Sequence, residues 1–100
     1  MTSAVTAMRD SNLVTIRVVG HFGFQVYHQF RDAYLASERG TRFRIDLQAV
    51  DYIDSSALGM LLVLREHSGG DVARIEITHC RPEVHKILLS AHFDRLFSIS

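Results

Sequence analysis

Asp54-Ser55-Ser56 sets a carboxylate and two hydroxyls side by side, between Tyr52-Ile53 and the mostly apolar run 57–64. Two kinds of chemistry suit such a trio. At the start of a helix about four backbone N–H groups lack partners, and Asp or Ser side chains accept from them. A serine at the same place is also a candidate phosphoacceptor. The helix N-terminus carries partial positive charge, so a phosphate there is favoured by roughly 0.3–1 kcal/mol. The same group adds about −1.5 to −2 charges to the surface it occupies. A partner docked there through apolar or acidic groups would be expelled while the fold survived. One cap needs one side chain, and three are supplied. Leu58 and Gly59 also stand where a capping box would place Glu or Gln. Phosphorylation is therefore weighed beside capping.

The flanking residues divide in the same way. Leu61, Leu62 and Leu64 are expected in the core, whereas Leu58 and Met60 lie in the first turns beside the candidate site. Phe22 and Phe24, around Gly23, serve either as loop anchors or as an exposed docking pair. Other constellations are poorer. His79, Cys80 and His85 lack a fourth ligand and a recognised zinc spacing. Cys80 reads as a small buried hydrophobe. His85 and His92 read as a solvated helix edge. Gly69-Gly70 precedes a strand and not a helix, so it is not a phosphate loop. No G-x-S-x-G elbow is present, and a domain with one helix layer offers little pocket for a hydrolase.

The elements that position these residues follow from periodicity. Residues 13–19 alternate, with Val14, Ile16 and Val18 on one face, and read as a half-buried strand. Residues 4–9 are a weaker strand paired to it across the Asp10-Ser11-Asn12 turn. Residues 20–24 read as a loop. A helix is predicted over 25–37 from the stripe Val26, Phe30, Ala33 and Tyr34, with Gly40 as its stop. Residues 42–47 alternate, with Phe43, Ile45 and Leu47 inward. Residues 56–67 form a second helix, apolar round most of its axis and expected to be the most buried. Residues 74–78 alternate around Ile75 and Ile77. Pro82 opens a third helix with the stripe Val84, Ile87, Leu88 and Ala91. Residues 92–100 pack Phe93, Leu96 and Phe97 as a short helix or a last strand. The order is ββαβαβα. The strands are polar on one face, so one layer of helices covers one face of the sheet and the other meets water.

The bulk numbers set the frame. One hundred residues make a single domain, 1–100, that buries roughly two-thirds of its unfolded surface. Eleven basic and eleven acidic residues cancel, leaving no electrostatic footprint for nucleic acid. Six histidines would make the chain cationic below about pH 6.5. One cysteine permits no internal disulfide, which suits a reducing cytoplasm. The N-terminus has no secretory signal pattern, and no apolar run approaches the roughly 20 residues of a spanning helix. A soluble cytoplasmic protein is expected, with no membrane insertion and no metal or other cofactor.

At these residues the chain resembles the STAS-domain family, and most of all its stand-alone bacterial anti-sigma factor antagonists. The likeness runs nearly end to end. It includes Val18-Val19-Gly20, Ile45-Asp46-Leu47, the motif Val50-Asp51-Tyr52-Ile53-Asp54-Ser55-Ser56-Ala57-Leu58-Gly59, Cys80-Arg81-Pro82-Glu83-Val84, and Phe93-Asp94-Arg95-Leu96-Phe97. It implies an α/β fold, STAS-like, with a small mixed sheet and helices packed on one face. It implies partner switching and no enzymatic activity of the chain itself. The unphosphorylated antagonist binds an anti-sigma factor, often also a serine kinase, and so frees a sigma factor. The kinase phosphorylates the serine after the motif's Asp, and a serine phosphatase resets it. That position is Ser55, with Asp54 and Ser56 as neighbours. The docking surface would comprise Phe22, Gly23, Phe24, Ala57, Leu58 and Met60.

Two departures stand out. Ala57 replaces the usual Gly, which is mild because Ala is the better helix former. Gly23 replaces the Asp usual in the G-x-x-D loop pattern, and restoring that Asp is expected to speed phosphorylation. The alternatives are a STAS scaffold without a phosphate cycle, bound to a transporter or signalling enzyme, and a small hydrolase using Ser55 with a histidine.

Overall fold

Alternating apolar residues, all turned to one side, build a five-stranded sheet in the order β1-β2-β3-β4-β5. The computed structural model describes residues 3–100. β1 (Ala4–Asp10) and β2 (Leu13–Phe22) form an antiparallel hairpin. Its two-residue turn holds Ser11 at φ 56°. β3 (Arg42–Ile53) lies parallel to β2, β4 (Arg74–Thr78) parallel to β3, and the short β5 (Ser98–Ile99) parallel to β4. α1 (Tyr27–Tyr34) follows a 3-10 turn at Phe24–Val26; α2 (Ser55–His67) and α3 (Pro82–Ser90) follow β3 and β4. Val14, Ile16 and Val18, then Phe43, Ile45 and Leu47, then Ile75 and Ile77 are buried beneath the helices. Thr15, Arg17, Arg42, Arg44 and Arg74 turn to the other, wetter face. The expected hairpin, one-sided helix layer and order of elements are all present, and a last strand, β5, ends the chain.

β3 runs six residues beyond the predicted 42–47. The alternation hides this because β3 carries extra residues in its pairing with β2. Arg17 pairs with Asp46 but Val19 with Ala49, and Gly20 pairs with Val50 but His21 with Tyr52. Each shift is a bulge that lets two residues of β3 oppose one of β2. Its buried residues are therefore Leu47, Val50 and Ile53, three apart instead of two. β2 likewise continues through Gly20 to Phe22, where a loop was expected. Gly20 takes φ 85°, and Phe22 keeps the inward phase of Val14, Ile16 and Val18. Phe22 is a core residue packed on Phe30, with ring centroids 5.2 Å apart.

The helices differ in extent and burial. α1 stops at Tyr34, short of the predicted 37, with Val26, Phe30 and Tyr34 buried as expected. α2 is not buried all round. Ala57, Met60, Leu61 and Leu64 face the core, but Leu62 is 40% and Val63 57% exposed. Leu62, expected in the core, stands on the outer face, because a single helix layer leaves one side of every helix to water. The C-terminal segment combines both expected forms, a 3-10 turn at Phe93–Arg95 and then β5. Phe93 and Phe97 close the core there.

This division of α2 predicts a stability contrast. Leu61→Ala should cost about 2–5 kcal/mol of unfolding free energy. Val63→Ala should stay within about 0.5 kcal/mol. Urea denaturation of the two variants checks it, and equal losses would contradict the assignment of faces.

Candidate functional site

The bulged end of β3 delivers Asp54 to the N-terminus of α2. Asp54 is extended (φ −117°, ψ −178°) and caps the helix. Its Oδ1 accepts from the N–H of Ser56 at 2.9 Å, the N–H of Ala57 at 3.2 Å and the Ser56 hydroxyl at 2.5 Å. Its Oδ2 lies 3.0 Å from His21 Nε2. An ionised carboxylate can only accept, so Nε2 carries the proton of that bond. His21 comes from the end of β2, its N–H donating to Ser3 Oγ at 3.2 Å and its ring meeting Tyr52 edge-on at 5.0 Å. The N–H of Asp54 donates to the carbonyl of Phe22 at 3.3 Å. The Ser56 hydroxyl, with the Ala57 N–H, His21 and the Ser56 N–H, holds the Asp54 carboxyl below its usual value of 3.8 against an opposing desolvation.

The three polar residues therefore divide their tasks. Asp54 caps, and Ser56 fixes the capping carboxylate. Ser55, the first residue of α2, is exposed, and none of the described residues hydrogen-bonds its hydroxyl. A hydroxyl placed so is open to modification without loss of a structural contact.

Gly23 has a specific reason to lack a side chain. A Cβ there would run into the Asp54 carboxylate and come within 3.0 Å of Gln25 Oε1. Its backbone is extended, so the requirement is close approach and not unusual dihedrals. This removes the basis for expecting that Asp at position 23 simply restores a missing group. Such a side chain would displace Asp54 and set a second carboxylate against it.

Beside Ser56, the residue after Ser55, an apolar groove of about 270 Å³ opens between the start of α1 and the outer face of α2. Phe24, Tyr27, Ser56, Gly59, Met60 and Val63 line it. Phe24 is 71% exposed and stacks on Tyr27, with ring centroids 5.8 Å apart and planes 10° from parallel. Of the residues expected to dock a partner, Phe24 and Met60 meet at this groove. Phe22 and Ala57 are fully buried and present no surface to a partner. Leu58 is half-buried against the core, and Gly23 is pressed on Asp54. Tyr27, Gly59 and Val63 escaped the sequence reading. The signal for Gly59 and Val63 is their helical spacing with Ser56 and Met60, which puts the four on one face of α2.

Elsewhere, no group of three His, Cys, Asp or Glu among the described residues could hold a metal ion. Burial pushes the Cys80 thiol up to about 11, which makes it a poor nucleophile. No described helix is long and apolar enough to cross a membrane.

Residues 5–98 match the family described as Mlab, STAS domain. A STAS-domain containing protein of Pseudomonas aeruginosa (strain UCBPP-PA14) is 46% identical over 100 residues, spanning 97% of this chain and 99% of that protein. Among solved structures, an anti-sigma factor antagonist from Mycobacterium paratuberculosis superposes with a TM-score of 0.81 at 16% identity, over 98% of this chain and 85% of that one. The anti-sigma factor antagonist SpoIIAA, in its unphosphorylated form, gives a TM-score of 0.73 at 19% identity, over 97% of this chain and 87% of that one. At these identities the two structures show a shared fold.

The capping geometry makes two predictions. Asp54→Ala should cost about 1 kcal/mol at neutral pH. Because the folded-state carboxyl is depressed, this contribution is complete above its unfolded value, near 3.8, and is lost as pH falls through the folded value. Denaturation curves of wild type and variant should therefore converge in acid, and a constant gap would contradict the assignment. Gly23→Ala should cost about 1–3 kcal/mol by overpacking. The cost should shrink when Asp54→Ala is also present, and a double-mutant cycle without coupling would rule out the contact.

Proposed function

The chain belongs to the STAS-domain family, and from that premise we propose that it is an anti-sigma factor antagonist switched by phosphorylation of Ser55. In this reading it is a regulatory binding protein and not an enzyme. It works in a bacterial cytoplasm with an anti-sigma factor that doubles as a serine kinase, and with a serine phosphatase. The observation that carries the proposal is the division of labour at the start of α2. Asp54 and Ser56 complete the cap between them, and Ser55 stands exposed and uncommitted, one residue before the Ser56 that lines an apolar groove. The fold shared with two anti-sigma factor antagonists supports the same role.

The mechanism follows from charge and burial. Without phosphate, an apolar side chain of the anti-sigma factor enters the groove among Phe24, Tyr27, Met60 and Val63, and Leu58 borders the contact. A phosphate on Ser55 brings about −1.5 to −2 charges to the rim. Docking then requires desolvating that charge against an apolar partner, which is costly without a compensating cation. The fold persists, because the cap does not use Ser55 and the helix N-terminus favours an anion.

A scaffold role without a phosphate cycle is the second reading. It is favoured by Gly23, which brings no carboxylate to the loop and where even a Cβ would meet the Asp54 carboxylate. Ser55→Asp and Ser55→Glu should weaken binding to the anti-sigma factor at least about tenfold, and Ser55→Ala should preserve it. Pull-down from native cells supplies the partner, calorimetry the affinities, and mass spectrometry the phosphate on Ser55. Equal affinity for all variants, with no phosphate under any growth condition, would replace the switch with the scaffold.

A further inference from the structure

The open face of the sheet is a charge pattern with one break in it. Arg44 lies beside Glu76 across β3 and β4, and its Nε donates to Glu76 Oε1 at 2.6 Å. Arg17 pairs in register with Asp46 across β2 and β3. Each of these arginines has an acidic neighbour. Arg42 and Arg74 do not: they are Cα partners on β3 and β4, so two guanidinium groups start side by side. Like charges placed directly opposite in a sheet are unfavourable. Arg74 Nη2 donates to the Gly40 carbonyl at 3.3 Å, and neither arginine is in an ion pair among the described residues.

This pair borders an open cleft of about 350 Å³ lined also by Leu13, Ala73, Leu96 and Ser98, and by Glu76, whose carboxylate is already taken by Arg44. Leu96 is 37% exposed. β5 pairs only with Glu76 and Ile77, so the first residues of β4, Arg74 and Ile75, have no strand on that side. The cleft thus offers two cations without an acidic partner, one carboxylate already engaged by Arg44, apolar side chains, and two β4 residues that no strand pairs on that side. It sits at the start of β3, whereas Ser55 follows its end.

We propose that this cleft binds an extended acidic segment of a protein partner, with carboxylates on Arg42 and Arg74 and apolar side chains against Leu13 and Leu96. Guanidinium forks match carboxylates in bidentate geometry. The apolar side chains and the unpaired start of β4 favour a peptide over a small anion, because a free oxyanion uses neither. The site is independent of the Ser55 groove and can be occupied in either phosphorylation state.

The test uses the whole chain and a dansyl-labelled hexapeptide of alternating glutamate and leucine, with its glutamine counterpart as control. Fluorescence anisotropy should show binding of the glutamate peptide alone, weakening as salt rises from about 25 to 200 mM. Arg42→Glu combined with Arg74→Glu should lower affinity at least about tenfold, and Arg17→Glu should leave it nearly unchanged. Arg42→Gln should also raise the melting temperature at low salt, since it removes the repulsion. No binding, equal binding by the double variant, or displacement by millimolar inorganic phosphate would overturn the proposal. A lower melting temperature for Arg42→Gln would assign that arginine to the fold and overturn it as well.

Discussion

Two strands and a helix meet at the carboxylate of Asp54, and the candidate site depends on its position. One oxygen takes three donors from the first turn of α2, and the other faces His21 at the end of β2. The backbone of the same residue is bonded to Phe22. A helix start would be satisfied by far less, since a single acceptor closes an ordinary cap. The surplus contacts fix where α2 begins relative to the loop that carries Phe24, so the groove between them has a defined width. They also explain the glycine at position 23, whose backbone lies too close to the carboxylate to carry a side chain.

The sheet was legible where its period was unbroken. Val14-Ile16-Val18, Phe43-Ile45-Leu47 and Ile75-Ile77 announce their inward faces, and the polar alternates announce the open one. Legibility failed where the backbone departed from that period. The bulges of β3 convert a spacing of two into Leu47-Val50-Ile53, which no alternation rule detects. Gly20 and Gly23 suggested a loop, but only the second lies outside β2. On α2, composition suggested burial all round, and the exposure of Leu62 and Val63 depends on there being one helix layer. That is a property of the whole fold and not of the segment.

The site divides similarly. The motif drew attention to the trio 54–56, but composition alone could not assign one task to each member. That required seeing which hydroxyl the cap consumes. Ser56 is consumed and Ser55 is not. The groove was half visible, through Phe24 and Met60. Its other half comes from Tyr27, which the sequence places in a helix but cannot place beside Phe24, and from Gly59, whose missing side chain leaves the groove its depth. Phe22 shows the converse: one residue of phase separates an exposed aromatic from a core one, and the continuation of β2 sets that phase.

A fold with one helix layer has two surfaces to offer, and this chain treats them differently. The outer faces of α1 and α2 are partly apolar and meet at a groove with Ser56 in its lining. The open sheet face is charged: Arg17 and Arg44 stand opposite acids, whereas Arg42 and Arg74 stand opposite each other. Neither arrangement is what stability alone would select. Exposed Phe24 and Val63 gain little by remaining in water, and adjacent arginines repel. The capping network is the opposite case: every contact of Asp54 favours the folded state, and its cost falls on Gly23, which must stay bare. Phe24 follows the Gly23 that meets the Asp54 carboxylate and Val63 stands on the helix that Asp54 caps, whereas Arg42 and Arg74 open β3 and β4. In the proposed switch, a charge at Ser55 acts on the groove without passing through the core.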